Sequence, residues 1–102
     1  MTKKTELRIY NMVTLIMRIS GNRWFTSRMI HFYGRPSELQ NIGGDPASLL
    51  VAMHKLGLVD KGKSSHVSFS SKCPRQGKWS YKLNEKGHKF WIGFGNIDPK
   101  IF

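Results

Sequence analysis

Basic side chains are unevenly distributed along this chain of 102 residues. Two long segments, between Glu6 and Glu38 and between Asp60 and Glu85, contain cations and no acid. The first contains Arg8, Arg18, Arg23, Arg28 and Arg35, and the second contains Lys61, Lys63, Lys72, Arg75, Lys78 and Lys82. Clustered fixed cations with no neighbouring carboxylates bind phosphate groups and other anions.

The overall composition supports a polyanionic partner. Lys+Arg number 17 against 6 Asp+Glu, so the net charge is +11 and the pI is near 10.2. Nucleic acid is the commonest polyanion that such proteins bind. The apolar fraction of 39% is enough for one compact core, which excludes a wholly disordered basic tail. The length predicts one domain over residues 1–102, with a core at about 5–91 and a tail at 92–102.

The sequence lacks the residue patterns of a phosphate loop, a catalytic carboxylate pair and a metal site. The glycines of Gly43-Gly44-Asp45 are not followed by the Lys-Ser/Thr of a phosphate loop, and the dispersed acids form no carboxylate pair. The remaining candidate ligands lack metal-site spacing; they are His31, His54, His66, His88 and Cys73. We therefore predict a binding protein that is not an enzyme and uses neither a metal nor a cofactor.

The sequence also bears on the compartment. One cysteine excludes an internal disulfide framework, which favours a reducing, cytoplasmic location. Arg18 follows the apolar N-terminal stretch without a small-residue cleavage site, so we do not expect a signal peptide. No apolar run approaches the roughly 18 residues of a membrane span.

Three helices are expected in the N-terminal half. The first covers Thr5–Ile19, and its apolar face is wide enough to imply deep burial or burial against a second subunit. Its polar stripe consists of Arg8, Asn11, Thr14 and Arg18. Arg23-Trp24-Phe25 is a short extended segment, after which Thr26 caps a helix to Tyr33 with Met29, Ile30 and Tyr33 inward. Pro36 begins a short helix that runs to Ile42.

The next helix has the clearest local signals. Asp45 is its N-cap, Pro46 occupies the first helical position, and Gly57 ends it. The inward stripe contains Leu49, Leu50, Met53 and Leu56. At 100° per residue, the opposite arc contains Ala47, Ser48, Val51, His54 and Lys55.

A strand begins at Leu58-Val59. Alternation of apolar and polar residues predicts strands at Ser65–Ser70 and Trp79–Leu83. Asn84 then caps a final helix to about Trp91, and a loosely held tail begins at Ile92. Aromatic residues are expected in the core rather than on a base-stacking surface; they are Trp24, Phe25, Phe69, Trp79, Tyr81, Phe90 and Trp91.

This order of elements resembles a winged helix-turn-helix, a fold of the α+β class with a three-helix core, a β-hairpin wing and a short C-terminal helix. Leu49 to Val59 (LLVAMHKLGLV) resembles the recognition helix and first wing strand of many bacterial regulators. Trp79 to Gly87 (WSYKLNEKG) is similar to the second wing strand and following helix of MarR- and PadR-like regulators. The resemblance implies a DNA-binding regulator of transcription.

The segment 34–44 departs from this pattern, because a compact helix-turn-helix has only about 3–4 residues between its two helices. Either the helix ending at Tyr33 is the second helix and an insertion follows, or the short helix from Pro36 to Ile42 takes that role. The entry through Trp24-Phe25-Thr26 favours the first alternative.

Duplex DNA is accordingly the expected partner. Base edges would be contacted by Ala47, Ser48, Val51, His54 and Lys55, although a plain solvent-exposed face explains Ser48 and His54 nearly as well. Phosphates would be contacted by Lys61, Lys63, Lys72, Arg75 and Lys78 of the wing and by arginines of the first two helices, Arg28 among them. Ala47 and Val51 are candidates for thymine-methyl contacts. The arc contains no Arg, Asn or Gln, so we expect only modest base discrimination from this helix.

Three alternatives stay open. The apolar face of the first helix, together with Phe90, Trp91, Ile92 and Phe94, would suit a homodimer that binds a two-fold symmetric operator. The nearly apolar outer arc would suit a protein–protein module, such as a host-takeover or anti-defence factor. The high positive charge is also compatible with RNA binding.

Overall fold

The computed structural model describes residues 2–63 and 79–95, which form an α+β arrangement of five helices and one antiparallel hairpin, as predicted for the class. In these two ranges, no helix has both the length and the apolar character needed to cross a membrane. The elements in chain order are α1 Lys3–Ile19, α2 Ser27–Tyr33, α3 Pro36–Asn41, α4 Pro46–Lys55, β1 Val59–Lys63, β2 Trp79–Leu83 and α5 Glu85–Gly95.

Side-chain caps explain where the helices begin. The Thr26 hydroxyl accepts from the Met29 N–H at 3.2 Å, and the Asp45 carboxylate accepts from the Ala47 N–H at 3.1 Å. The amide oxygen of Asn84 accepts from the Gly87 N–H at 2.9 Å. Each contact satisfies an N–H group that has no partner inside its helix. The three predicted caps are therefore confirmed.

The hairpin is antiparallel, with Val59 opposite Leu83 at one end and Lys63 opposite Trp79 at the other. On the free side of β2, Phe25 forms an antiparallel bridge with Tyr81. Both backbone hydrogen bonds of this bridge are short, at 2.8 and 2.7 Å. The predicted extended segment before α2 is thus confirmed at Phe25, whereas the predicted strand at 65–70 lies outside the described residues.

Helix α1 lies at the centre of the core and packs against α2, α3 and α5. Its apolar face is buried within this one chain, which fits the first of the two expectations for that face. The buried residues of α1 are Ile9, Met12, Val13, Leu15 and Ile16. Phe25, Ile30, Leu50 and Met53 complete the most deeply buried part of the core.

Three residues of the polar stripe of α1 contact the α3 segment, whereas the fourth, Thr14, accepts a hydrogen bond from Trp91 of α5. The Arg8 Nε donates to the Ile42 carbonyl at 2.7 Å, and the Asn11 side chain donates to the Asn41 carbonyl at 3.2 Å. Both carbonyls lie at the C-terminal end of α3, where backbone acceptors lack intrahelical partners. Arg18 holds the other end, because its Nε donates to the Glu38 carboxylate at 2.8 Å. Helix α3 is therefore fixed to α1 by polar contacts.

Three predictions about exposure and length are wrong. Tyr33 and Leu56 are predicted inward, but both are exposed, since each lies at or just beyond the end of its helix. The tail is predicted from Ile92, yet α5 continues to Gly95. Phe94 extends this helix by packing on Tyr10, with ring centroids 5.3 Å apart, which offsets the poor helix propensity of its glycines.

Gly87 provides a test of how tightly α5 packs on the hairpin. A Cβ at this position would collide with the Leu58 carbonyl oxygen and the Leu83 side chain, whereas a Cβ at Gly93 would meet nothing within 4 Å. We expect Gly87→Ala to lower the free energy of unfolding by about 1–3 kcal/mol. The control Gly93→Ala should raise it slightly, because alanine favours helix. Urea unfolding measures both, and an equal effect at the two positions would refute the tight packing.

The ion pair between Arg18 and Glu38 predicts a dependence of stability on pH. The Arg18 hydrogen bond, with a second from the Arg35 N–H, holds the pKa of the Glu38 carboxyl below its ordinary value. A lowered folded-state pKa stabilises the fold above the unfolded pKa of about 4.3 and loses this contribution as the pH falls below it.

We therefore expect the thermal unfolding midpoint to fall less steeply with acidification in Glu38→Gln than in the unchanged protein. The effect is small, because the pair is exposed to solvent. The matched control is Glu85→Gln, which removes the exposed Glu85–Lys89 pair of 3.2 Å. If both variants show the pH profile of the unchanged protein, the Glu38 contact does not contribute to stability.

Candidate nucleic-acid interface

The outward arc of α4 is the first part of the candidate site. Ser48, Val51, His54 and Lys55 are exposed, and Ala47 is half-buried, in agreement with the predicted arc. The opposite side of the helix is held in the core by Leu49, Leu50 and Met53. Because one side is anchored by close packing, the exposed arc keeps a fixed orientation relative to the rest of the fold.

The polar groups of this arc are concentrated at the ends of the helix. The Ser48 hydroxyl lies 3.4 Å from the Asp45 carboxylate, which already caps the helix. His54 and Lys55 lie in the last turn, where positive side chains also interact favourably with the helix dipole. The middle of the arc is formed by Val51, an aliphatic residue that is 43% exposed.

An open cleft of about 200 Å³ lies where the first turns of α2 and α4 meet. Ser27, Arg28 and His31 line it from α2, and Asp45 and Pro46 line it from α4. Arg28 is exposed and forms no hydrogen bond or ion pair with any residue in the described ranges. Its guanidinium is therefore available for an anion beside the start of α4.

His31 belongs to this cleft, although it is not among the DNA contacts predicted from the sequence. It lies three residues after Arg28 on α2, and residues at this spacing share one helix face. The spacing is visible in the sequence. The sequence does not show the packing of α2 against α4, which turns this face toward the start of α4.

The far end of the hairpin is the third part of the site. Lys61 and Lys63 are exposed on β1, and the Lys61 ammonium lies 4.4 Å from the centroid of the Trp79 ring. Trp79 is predicted in the core but is 48% exposed. The strand carries it beyond Tyr81, which is the last buried aromatic residue of β2, so the core ends before it.

The Phe25–Tyr81 bridge links the segment that enters α2 to the hairpin. Because this pairing is antiparallel, the chain that continues from Phe25 to Ser27 runs toward the Trp79 end of β2. Helix α2 therefore begins near the Lys63–Trp79 pair, and its first turn adjoins the first turn of α4. The bridge and the cleft thus connect the start of α2 with the Lys63–Trp79 end of the hairpin and with the start of α4.

Two arginines of the first helix do not belong to this site. Arg8 and Arg18 are predicted to clamp phosphates, together with Arg28, but both are held by the contacts to α3. Arg18 is neutralised by the carboxylate to which it donates and therefore attracts an anion only weakly, whereas Arg8 keeps its charge but is directed toward the Ile42 carbonyl. The three wing cations predicted farther along the hairpin, Lys72, Arg75 and Lys78, lie outside the described residues.

Three further features of the described residues concern metal ligands, a second cleft and a buried hydroxyl. Within residues 2–63 and 79–95, no group of three His, Cys, Asp or Glu side chains could hold a metal ion. A second open cleft, of about 240 Å³, contains charges of both signs from Glu85 and Lys89. Burial raises the pKa of the Tyr81 hydroxyl, which keeps that group protonated in the core.

No protein-family model, no curated protein and no solved structure matches this chain. The geometry and the charge of the site are therefore the basis on which its function is inferred.

Proposed function

We propose that this chain is a winged-helix protein that binds duplex DNA and regulates transcription. The observation that carries the proposal is the exposed arc of α4, which begins beside Arg28 and packs against the strand that carries the exposed Lys61 and Lys63. Helix α4 acts as the recognition helix, and the hairpin acts as the wing. The proposed contacts are Arg28, Ala47, Ser48, Val51, His54, Lys55, Lys61, Lys63, Lys72, Arg75 and Lys78.

The arrangement of the elements supports the winged-helix part of this proposal. Helix α4 packs against both α2 and β1, as a recognition helix packs between its partner helix and its wing. The extended residue Phe25 adds a third extended segment beside the hairpin, on the edge of β2 that β1 leaves free. Helix α3 packs on α1, which is consistent with an insertion between the two helices of the motif.

The dimensions of α4 suit the major groove. A helix with its side chains is about 10–12 Å across, and the major groove of B-DNA is about 12 Å wide. With α4 in the groove, Arg28 and the hairpin lysines would lie along the phosphates on either side. These contacts position the protein and supply affinity that depends on salt, but they carry no sequence information.

Neutralising two cations of the interface tests this arrangement. We expect Arg28→Ala with Lys63→Ala to reduce retention on a duplex and to flatten the slope of log K against log salt by about 1.8, since each phosphate that a cation neutralises adds about 0.9 to the slope. Lys89→Ala is the control, because this residue is on α5 and already paired with Glu85. Fluorescence anisotropy with a labelled random duplex, over a range of salt concentrations, measures the slope.

Two outcomes oppose the proposal. If the double variant and the Lys89→Ala control lose affinity equally, binding is a response to net charge rather than to this surface. If the unchanged protein shows no salt-dependent retention on duplex DNA, duplex binding itself is excluded. Competition between duplex DNA and structured RNA at fixed salt separates the proposal from RNA binding.

A second candidate function is a protein–protein module on the same scaffold. It is favoured by Phe32, which is 48% exposed and packs edge-to-face on Tyr33 with ring centroids 4.9 Å apart. Exposed aromatic residues are enriched at protein interfaces. The salt titration distinguishes the two candidates, because an aromatic docking surface does not produce salt-dependent binding to duplex DNA.

A further inference from the structure

The centre of the α4 arc is apolar, although the surface around it is basic. Val51 is 43% exposed, and Ala47, one helical turn earlier on the same face, is half-buried. Cations flank this centre at the two ends of the helix, with Lys55 in the last turn and Arg28 in the cleft beside the first turn. An exposed aliphatic group at the middle of a basic surface indicates a ligand that is anionic at its edges and apolar at one point.

The major groove of duplex DNA presents only one kind of apolar group to a protein. Each base presents donors and acceptors there, and thymine alone adds a C5-methyl group. Arginine, lysine, asparagine and glutamine are the side chains that form paired hydrogen bonds with guanine or adenine, and of these the exposed arc has only Lys55, in the last turn of the helix. What the arc offers at its centre is aliphatic surface.

We infer that α4 recognises A·T-rich duplex DNA through contact of the thymine C5-methyl groups with Val51 and Ala47. This inference rests on the proposed function, since it requires α4 to enter the major groove. Side chains four residues apart on a helix have Cβ atoms about 5–6 Å apart, so the two residues reach methyl groups on neighbouring base pairs.

The affinity that one methyl contact contributes follows from its hydrophobic burial. Burying a methyl-sized group is worth about 0.8 kcal/mol, which corresponds to about a fourfold change in the dissociation constant. The preference is therefore modest for one base pair and accumulates over a site. Phosphate contacts give the protein general affinity for duplexes, and the methyl contacts bias it toward thymine.

Three DNA duplexes of equal length test the inference: alternating A·T, alternating A·U with deoxyuridine in place of thymidine, and alternating G·C. Uracil and thymine have the same pairing groups and the same minor-groove edge, so the A·T and A·U duplexes differ in the major groove only by the C5-methyl. We expect binding to A·T to be at least about fourfold tighter than binding to A·U at the same salt concentration.

The variant Val51→Ser assigns the preference to α4. It should reduce the ratio between the A·T and A·U affinities toward one, while the salt dependence stays unchanged. The control is Ile92→Ser, which removes an equally exposed aliphatic side chain, 51% exposed, from α5. Circular dichroism and the unfolding midpoint of both variants verify that the fold is retained.

The outcomes separate this inference from the proposed function. Equal affinity for A·T and A·U, or a preference for G·C, overturns thymine recognition and leaves duplex binding in place. An A·T preference that persists in Val51→Ser assigns the discrimination to another part of the chain and also overturns it. Absence of salt-dependent binding to all three duplexes overturns the proposed function as well.

Discussion

The arrangement of the candidate site depends on one backbone pairing. Phe25 and Tyr81 are 56 residues apart in sequence (81 − 25), yet they exchange two hydrogen bonds of 2.8 and 2.7 Å. Both side chains are buried, so water does not compete for these bonds. The pairing fixes the point at which the chain enters α2 relative to the hairpin. The packing of α4 against both α2 and β1 adds a second link between Arg28 and the lysines of β1.

The net charge of +11 does not by itself show which cations contact a ligand. Arg8 and Arg18 have structural roles, because they satisfy a carbonyl and a carboxylate of the α3 segment. Arg28 lies on α2 with no such partner in the described ranges and is free for an anion. The distinction between these arginines is made by their neighbours in space. A high positive net charge therefore indicates an anionic class of partner, but the packing of the fold decides which cations can contact that partner.

Local signals in the sequence are sufficient for most of the element order. Thr26, Asp45 with Pro46, and Asn84 each indicate a helix start through chemistry that involves only the next three residues. The outward arc of α4 is also predictable, since the 3.6-residue repeat and the apolar stripe fix it. These features depend on neighbours along the chain, which the sequence displays directly.

Features at the edge of the core are not predictable in the same way. Tyr33, Leu56 and Trp79 continue the apolar pattern of their elements, but the core ends before it reaches them. The extension of α5 depends on the contact of Phe94 with Tyr10, two residues from opposite parts of the chain. Periodicity shows which side of an element is apolar. It does not show how far along the element a partner surface extends.

The side chain of Asn84 joins three elements. Its amide donates to the Gly57 carbonyl at 2.9 Å and to the Asp60 carboxylate at 3.3 Å, and its oxygen accepts from the first turn of α5. One side chain therefore connects the end of α4, the start of β1 and the start of α5 by hydrogen bonds. The backbone of these three element ends loses its conformational entropy during folding, so binding of a large ligand requires little additional ordering of this backbone.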